Sequence, residues 1–361
     1  MAPPALPKPP VIKCGRNFLP AGPFASIKPE LMQAQKFGYL EFRYGNDPKR
    51  RTVNVGDNIQ SIAVRRLLAH LNVDPADMVG VDRDSLRDYA GPPVKLIMNG
   101  CFHDDCFPLP PQIEPVFFGF NAETESVITA NKKLFQEHQP IGCRDNATKQ
   151  MFDKHGIAAF VTGCATLTLK RRDPQVTGSK PVIAFGSGAG VLHQNLYEYI
   201  PRPLLQRASL VFQREPVPKI PLSDQAVTQM DELAASYLDL YRNEASIVVT
   251  PLLHVASPCL AMGIPVVLTR RDHDDRFTAI DRLLPVYTPP AFSTIEWNVR
   301  PLEIEGLKQA MFDVAGALLE GSKPGADALA VLAKTYDAPP ILQGAKRRKH
   351  RSLLKRLLSR G

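Results

Sequence analysis

One stretch in the last third of the chain constrains the fold more than any other. Ile247-Val248-Val249-Thr250 is a β-branched run of the kind that suits a strand buried in a parallel sheet. Thr250 can cap a helix, and Pro251 suits the first helical position because its missing N–H is not needed there. The pattern predicts a helix running to Met262, stopped at Gly263 and followed by Pro265, then a second strand over Val266–Thr269. This is a strand–helix–strand unit. His254 falls in the first turn of its helix, where free N–H groups and the positive end of the helix dipole favour anions. Pro258 lacks the N–H that would bond the carbonyl of His254, so the helical ladder is broken at the histidine's own turn.

The same grammar repeats along the chain and divides it. Residues 1–36 are proline-rich and read as an N-terminal arm; 37–170 and 178–340 each read as a Rossmann-like domain of alternating strands and helices; 341–361 is a basic tail. The polar segment from Lys170 to Lys180 is the expected linker. In the first domain, strands are expected at Phe37–Tyr44, Met78–Arg83, Val94–Gly100 and Val116–Phe120, with helices starting at Asp57 or Asn58 and covering about 125–138 and Asn146–Lys154. In the second, they are expected at Val182–Phe185 and Leu210–Gln213, with helices at Asp224–Arg242, Glu303–Glu320 and about 325–335.

Several loops fall where such folds bind ligands, beyond the carboxyl ends of parallel strands. Gly56 permits close backbone approach beside the helix end at Asp57 and Asn58. Asn99 precedes the Cys101–Cys106 cluster and His103 lies within it; its residue types suit a metal but it cannot close a zinc site without a second pair elsewhere, so polar contacts to a ligand are the expectation, and no metal. Arg144 stands at a strand–helix junction and is a candidate anion contact. The Gly186–Gly190 loop resembles a phosphate cradle without the lysine and spacing of a P-loop. Arg271 and Arg276 belong to a charge-dense loop after the Val266–Thr269 strand.

Composition narrows the function classes. The net charge of +8 looks like a nucleic-acid signal until it is located: eight Lys and Arg beyond Gly344 account for all of it, leaving 36 basic residues against 36 acidic ones. No specific nucleic-acid partner is expected. In the tail, Leu353, Leu354, Leu357 and Leu358 fall on one helical face among cations, the pattern of an interfacial helix drawn to anionic lipid. No apolar run is long enough to span a membrane, no secretory signal is visible, and six scattered cysteines suit reduced thiols in a cytoplasmic protein.

Four motifs together carry a family resemblance. Gly56-Asp57-Asn58-Ile59-Gln60-Ser61, Gly142-Cys143-Arg144-Asp145, Gly163-Cys164-Ala165-Thr166-Leu167-Thr168-Leu169 and Leu253-His254-Val255-Ala256-Ser257-Pro258-Cys259-Leu260-Ala261-Met262-Gly263-Ile264-Pro265-Val266 resemble, in order and spacing, the polysaccharide pyruvyl transferase family. The resemblance spans roughly residues 37–320. It implies α/β architecture with two Rossmann-like domains facing a cleft, as in GT-B glycosyltransferases. It also implies transfer of the pyruvyl skeleton of phosphoenolpyruvate to sugar hydroxyls of an exopolysaccharide or cell-wall glycan precursor. Phosphoenolpyruvate would be co-substrate, with no other cofactor, and a sugar or lipid-linked oligosaccharide the acceptor, at the inner face of the plasma membrane. By this reading His254 is the general acid and Asp57 the base or hydroxyl orienter. Arg144, with Asn58, Asn99, His103, Arg271 and Arg276, would bind substrate. One departure matters: Pro251-Leu252-Leu253-His254 stands where the family commonly has Ser-Arg-Leu-His, so an arginine expected to grip the donor is Leu252. Arg270, Arg271 or Arg276 could replace it; otherwise a nucleotide-sugar glycosyltransferase or a non-catalytic glycan-binding relative is the alternative.

Overall fold

β-branched and aromatic runs become short parallel strands in a computed structural model that describes residues 35–341 apart from Pro218. The first half runs β1 (Lys36–Glu41), β2 (Thr52–Asn54), α1 (Val55–His70), β3 (Met78–Asp82), β4 (Val94–Ile97), β5 (Gly100–Phe102), β6 (Ile113–Val116), β7 (Phe120–Ala122), α2 (Glu125–Ala130), α3 (Lys132–Glu137), β8 (Ile141–Cys143), α4 (Asn146–Lys154) and β9 (Ala159–Val161). The second runs β10 (Lys180–Phe185), α5 (Arg202–Arg207), β11 (Ser209–Phe212), β12 (Arg214–Pro216), α6 (Asp224–Glu244), β13 (Ala245–Thr250), α7 (Leu253–Ala261), β14 (Val266–Thr269), β15 (Val286–Tyr287), α8 (Glu305–Leu319) and α9 (Ala326–Tyr336). The expected proline-rich arm up to residue 34 and the basic tail from 342 lie outside the described residues.

The sheets confirm a parallel α/β fold of Rossmann-like type. The second half holds one parallel sheet in the order β11-β10-β13-β14-β15. The first half holds two, β3-β1-β4-β6 and β5-β7-β8-β9. Strand order reverses between β10 and β13 and between β1 and β4, and such switch points open crevices at the strands' carboxyl ends.

Local chemistry explains where the elements depart from expectation. The strand expected over Val116–Phe120 is broken into β6 and β7, because Gly119 adopts φ +73° and approaches Asn99 so closely that a Cβ would lie 2.1 Å from Asn99 Oδ1. The helix expected over about 125–138 is two short helices, divided at Asn131, whose side chain donates to the carbonyl of Val127 at 2.9 Å. Helix α1 starts at Val55, ahead of Asp57, because Asn54 Oδ1 accepts from Gly56 N–H at 3.2 Å. Helix α7 starts at Leu253: Thr250 Oγ1 accepts from Leu252 N–H in the turn before it, and does not cap the helix. At its far end Gly263 takes φ +69° and Ile264 N–H bonds the Cys259 carbonyl at 2.9 Å, a Schellman closure.

The two halves exchange elements across the expected linker. β12 pairs antiparallel with β2. Val217, Leu222, Val227 and Met230 complete the aromatic core of the first half, which includes Phe102, Phe120, Phe135 and Phe152. Tyr336 at the end of α9 is buried, and its hydroxyl donates to the Thr162 carbonyl at 3.4 Å. The described residues from Gln35 to Ile341 accordingly cluster within one compact unit. None of the helices among the described residues is long and apolar enough to cross a membrane.

Candidate functional site

A cavity of about 410 Å³ lies at the carboxyl ends of the strands from both halves. Its lining includes six arginines, Arg50, Arg83, Arg144, Arg214, Arg270 and Arg276, and one carboxylate, Asp57. Acids stand behind several of these cations. Arg83 is clamped by Asp84 at 2.7 Å, Arg144 lies 3.7 Å from Asp145, and Arg270 and Arg276 share Asp274. The guanidinium groups therefore arrive braced, with fixed donors toward the cavity, which suits an anionic ligand bearing several oxygens.

His254 occupies the junction of the halves. Its φ of −82° and ψ of 16° interrupt α7 at its first turn, as Pro258 four residues on requires. Its Cβ packs against Gly56, where an added Cβ would sit 3.0 Å away. The first turns of α1 and α7 thus meet at a glycine and a histidine, and Gly56 is needed for that approach. The imidazole Nε2 is shielded from solvent and has no hydrogen-bond partner. Burial, with Arg144 and Arg276 adding to it, holds the ring's pKa down to about 3, so the protein groups alone keep it neutral.

Asp57, in the first turn of α1, lines the same cavity. Its carboxylate accepts from Tyr44 Oη at 2.9 Å, Asn54 Nδ2 at 3.1 Å and Gln60 Nε2 at 3.3 Å. Burial raises its pKa above the usual carboxylate value, while Arg83, the Tyr44 hydroxyl and Arg50 pull it back. Tyr44 is held in the left-handed region at φ 58°, with the Arg50 guanidinium 4.5 Å over its ring.

The second half supplies the opposite wall. The Gly186–Gly190 loop follows β10, and Arg270 Nη1 ties it to the α7 turn by donating to the carbonyls of Ala189 (2.9 Å) and Pro251 (3.1 Å). Leu252 fills the space beside the loop: a Cβ on Gly190 would meet its Cδ2 at 2.7 Å. Gln213, almost fully buried, holds Tyr241 Oη at 3.1 Å through one end of its amide and lines the cavity.

His254, Asp57, Arg144 and Arg276 therefore share one cavity, and four other expected residues do not line it. Asn58 is turned to the α6 side, where its amide donates to Asp231 Oδ1 at 2.7 Å. Asn99 is a structural bracket, buried and accepting from Ala165 N–H at 2.8 Å. His103 Nε2 sits 3.4 Å from Asp84 Oδ1 and 3.6 Å from Cys106 Sγ, and these neighbours push its pKa up to about 10. Arg271 is 81% exposed and faces Asp272 at 3.7 Å. Tyr44, Arg83, Gln60 and Gln213 were not anticipated. Arg83 and Gln213 carried a usable signal, since each immediately follows a strand, and Gln60 lies in the Gly56–Ser61 motif; Tyr44 carried none. Among the described residues no group of three or more His, Cys, Asp or Glu is arranged to hold a metal ion.

Fold and site together define a Rossmann-like α/β protein with an arginine-lined cavity centred on a neutral histidine. No family model matches the chain, and no curated protein matches it either. Among solved structures, a functionally uncharacterised protein from Klebsiella pneumoniae is similar over 69% of this chain and 89% of its own, at 12% identity and a TM-score of 0.38.

Proposed function

We propose that this chain is a group-transfer enzyme of the polysaccharide pyruvyl transferase type, with its two Rossmann-like halves facing a cleft in the GT-B manner. It would move the pyruvyl group of phosphoenolpyruvate onto sugar hydroxyls of a glycan precursor at the cytoplasmic face of a membrane. The observation that carries this reading is the set of six arginines around an unpartnered histidine nitrogen. Phosphoenolpyruvate offers a phosphate and a carboxylate to such a set. Arg144 and Arg276 would hold its anionic groups. His254 would deliver a proton to the methylene carbon, and the neighbouring carbon would take up the attacking sugar oxygen. Asp57, with its oxygens already fixed by Tyr44, Asn54 and Gln60, would orient that hydroxyl and take its proton. The bond from that carbon to the phosphate oxygen then breaks, and a second hydroxyl closes the ketal, its proton leaving with the departing phosphate. Phosphate release from phosphoenolpyruvate with a lipid-linked oligosaccharide acceptor tests the reading, and turnover in His254→Gln equal to wild type removes the assigned acid.

A second reading is favoured by Leu252, which puts an apolar side chain beside the glycine loop where the resemblance implies an arginine. A nucleotide-sugar glycosyltransferase would need no arginine there, and a neutral His254 could serve it as base. A thermal-shift comparison separates the two: stabilisation by phosphoenolpyruvate supports the first, stabilisation by UDP- or GDP-sugars the second. Stabilisation by neither supports a non-catalytic glycan-binding relative.

A further inference from the structure

We propose that an anion entering the arginine wall loads a proton onto His254, so that the site makes its own acid only when its ligand is in place. The inference rests on the reading of the cavity as a site for a phosphorylated acid, and adds how that site is armed.

The argument starts from a mismatch. A general acid must carry a proton before it gives one away, yet the protein groups lining the cavity disfavour a charged imidazole. His254 Nε2 is cut off from water and has no partner. The charges around it are mostly positive. From the first half come Arg144, backed by Asp145, and Arg83, backed by Asp84, beside Arg50. From the second come Arg214, together with Arg270 and Arg276, which share Asp274. Asp57 is the one carboxylate lining the cavity, and Tyr44, Asn54 and Gln60 already donate to it. Arg144 and Arg276 line the same cavity and add to the burial that disfavours a charged ring.

A dianion held by those two arginines reverses this balance. It cancels the repulsion and offers an oxygen acceptor to Nε2. The proton comes from solvent, and no covalent bond other than N–H changes. When the ligand leaves, the proton returns to solvent; when it reacts, the proton is at hand. Linkage makes the effect reciprocal: each unit by which the anion raises the His254 pKa makes the anion bind about tenfold more tightly to the protonated site than to the neutral one.

Inorganic sulfate is the probe, because it stays doubly charged across the relevant range and carries no proton of its own to confuse the count. The midpoint of the His254 ring resonances is followed by NMR with and without saturating sulfate, the resonances being assigned by their loss in His254→Gln. The expected result is a rise of at least about one unit with sulfate, and sulfate affinity that climbs about tenfold as pH falls through the shifted range. Arg276 is half-exposed, so Arg276→Gln should fold; it should raise the midpoint without sulfate and shrink the sulfate-induced rise. A midpoint unmoved by saturating sulfate overturns the proposal, as does the absence of any saturable sulfate binding. The pyruvyl reading fails separately. A midpoint that moves in a protein with no phosphoenolpyruvate turnover removes only that reading, and turnover with an unmoved midpoint removes only this one.

Discussion

At the scale of single residues, the site is built from side chains held in states they would not adopt in water. His254 is the clearest case. Unfolded, its ring takes a proton below its ordinary pKa of about 6.5; folded, it resists until about 3. The unfolded chain binds the extra proton in that window, so His254 costs stability as pH falls from about 6.5 toward 3 and costs none above it. Replacing it by Gln should flatten the acid limb of a pH–Tm profile and leave neutral Tm nearly unchanged. Asp57 works in the other direction: burial raises its pKa, so the folded state holds the ionised carboxylate less well than the unfolded chain does, and that cost is present once the group is ionised. Asp57→Asn should abolish transfer while leaving stability at pH 7 within about 1 kcal/mol of wild type and on the stable side, as read by urea titration. These two residues, with Arg144, were legible because each sits next to a strand end or in a helix's first turn, and Arg276 because it belongs to a charge-dense loop after a strand. Asn58 was misread because one step along a helix turns a side chain through about 100°, here from the cavity to Asp231. Asn99 looked like a ligand and is a bracket, because the backbone break it braces is not visible in the sequence.

At the scale of elements, α7 shows how a few residues place a whole helix. Pro258 and His254 open its start, Gly263 closes its end, and Lys308 on α8 reaches over to donate to the Ala261 carbonyl at 2.6 Å. Lys308 is almost fully buried. Lys308→Met keeps the stem and removes that bond and the one to Glu305, and should cost about 1 kcal/mol, seen as a Tm lowered by a few degrees. Gly56 on α1 gives a sharper test. Gly to Ala inside a helix ordinarily stabilises by about 1 kcal/mol, but here the new methyl would press on His254 Cβ, Asn54 Oδ1 and Gln213 Oε1 at 3.0–3.3 Å. Gly56→Ala should therefore leave Tm near wild type and lower kcat/KM at least about tenfold, since His254 must shift. The sequence marked α4, β13 and the Gly263 end of α7 well, because strong punctuation brackets them. It missed the division at Asn131 and the start of α1 at Val55, where one asparagine side chain competes with a backbone group.

At the scale of the whole molecule, the sheet order sets the site and the crossing elements hold it. Both strand-order reversals open onto the same cavity, which is why loops far apart in sequence supply its walls. The parallel α/β class was legible from alternating strand and helix patterns. The exchange of elements was not, because nothing in a polar linker at 170–180 tells that Val217, Leu222, Val227 and Met230 belong to the core upstream of it. A fragment ending near residue 175 would lack those four side chains and the cover of α9. Expressed alone it should show no cooperative thermal transition, whereas residues 35–341 should unfold in a single step by calorimetry. The covalent midpoint and the folding boundary fall in different places. Anyone grafting the first half of this protein onto another scaffold would have to take the β12–α6 stretch and α9 as well, two further segments, so the halves travel together through any recombination that keeps them folded.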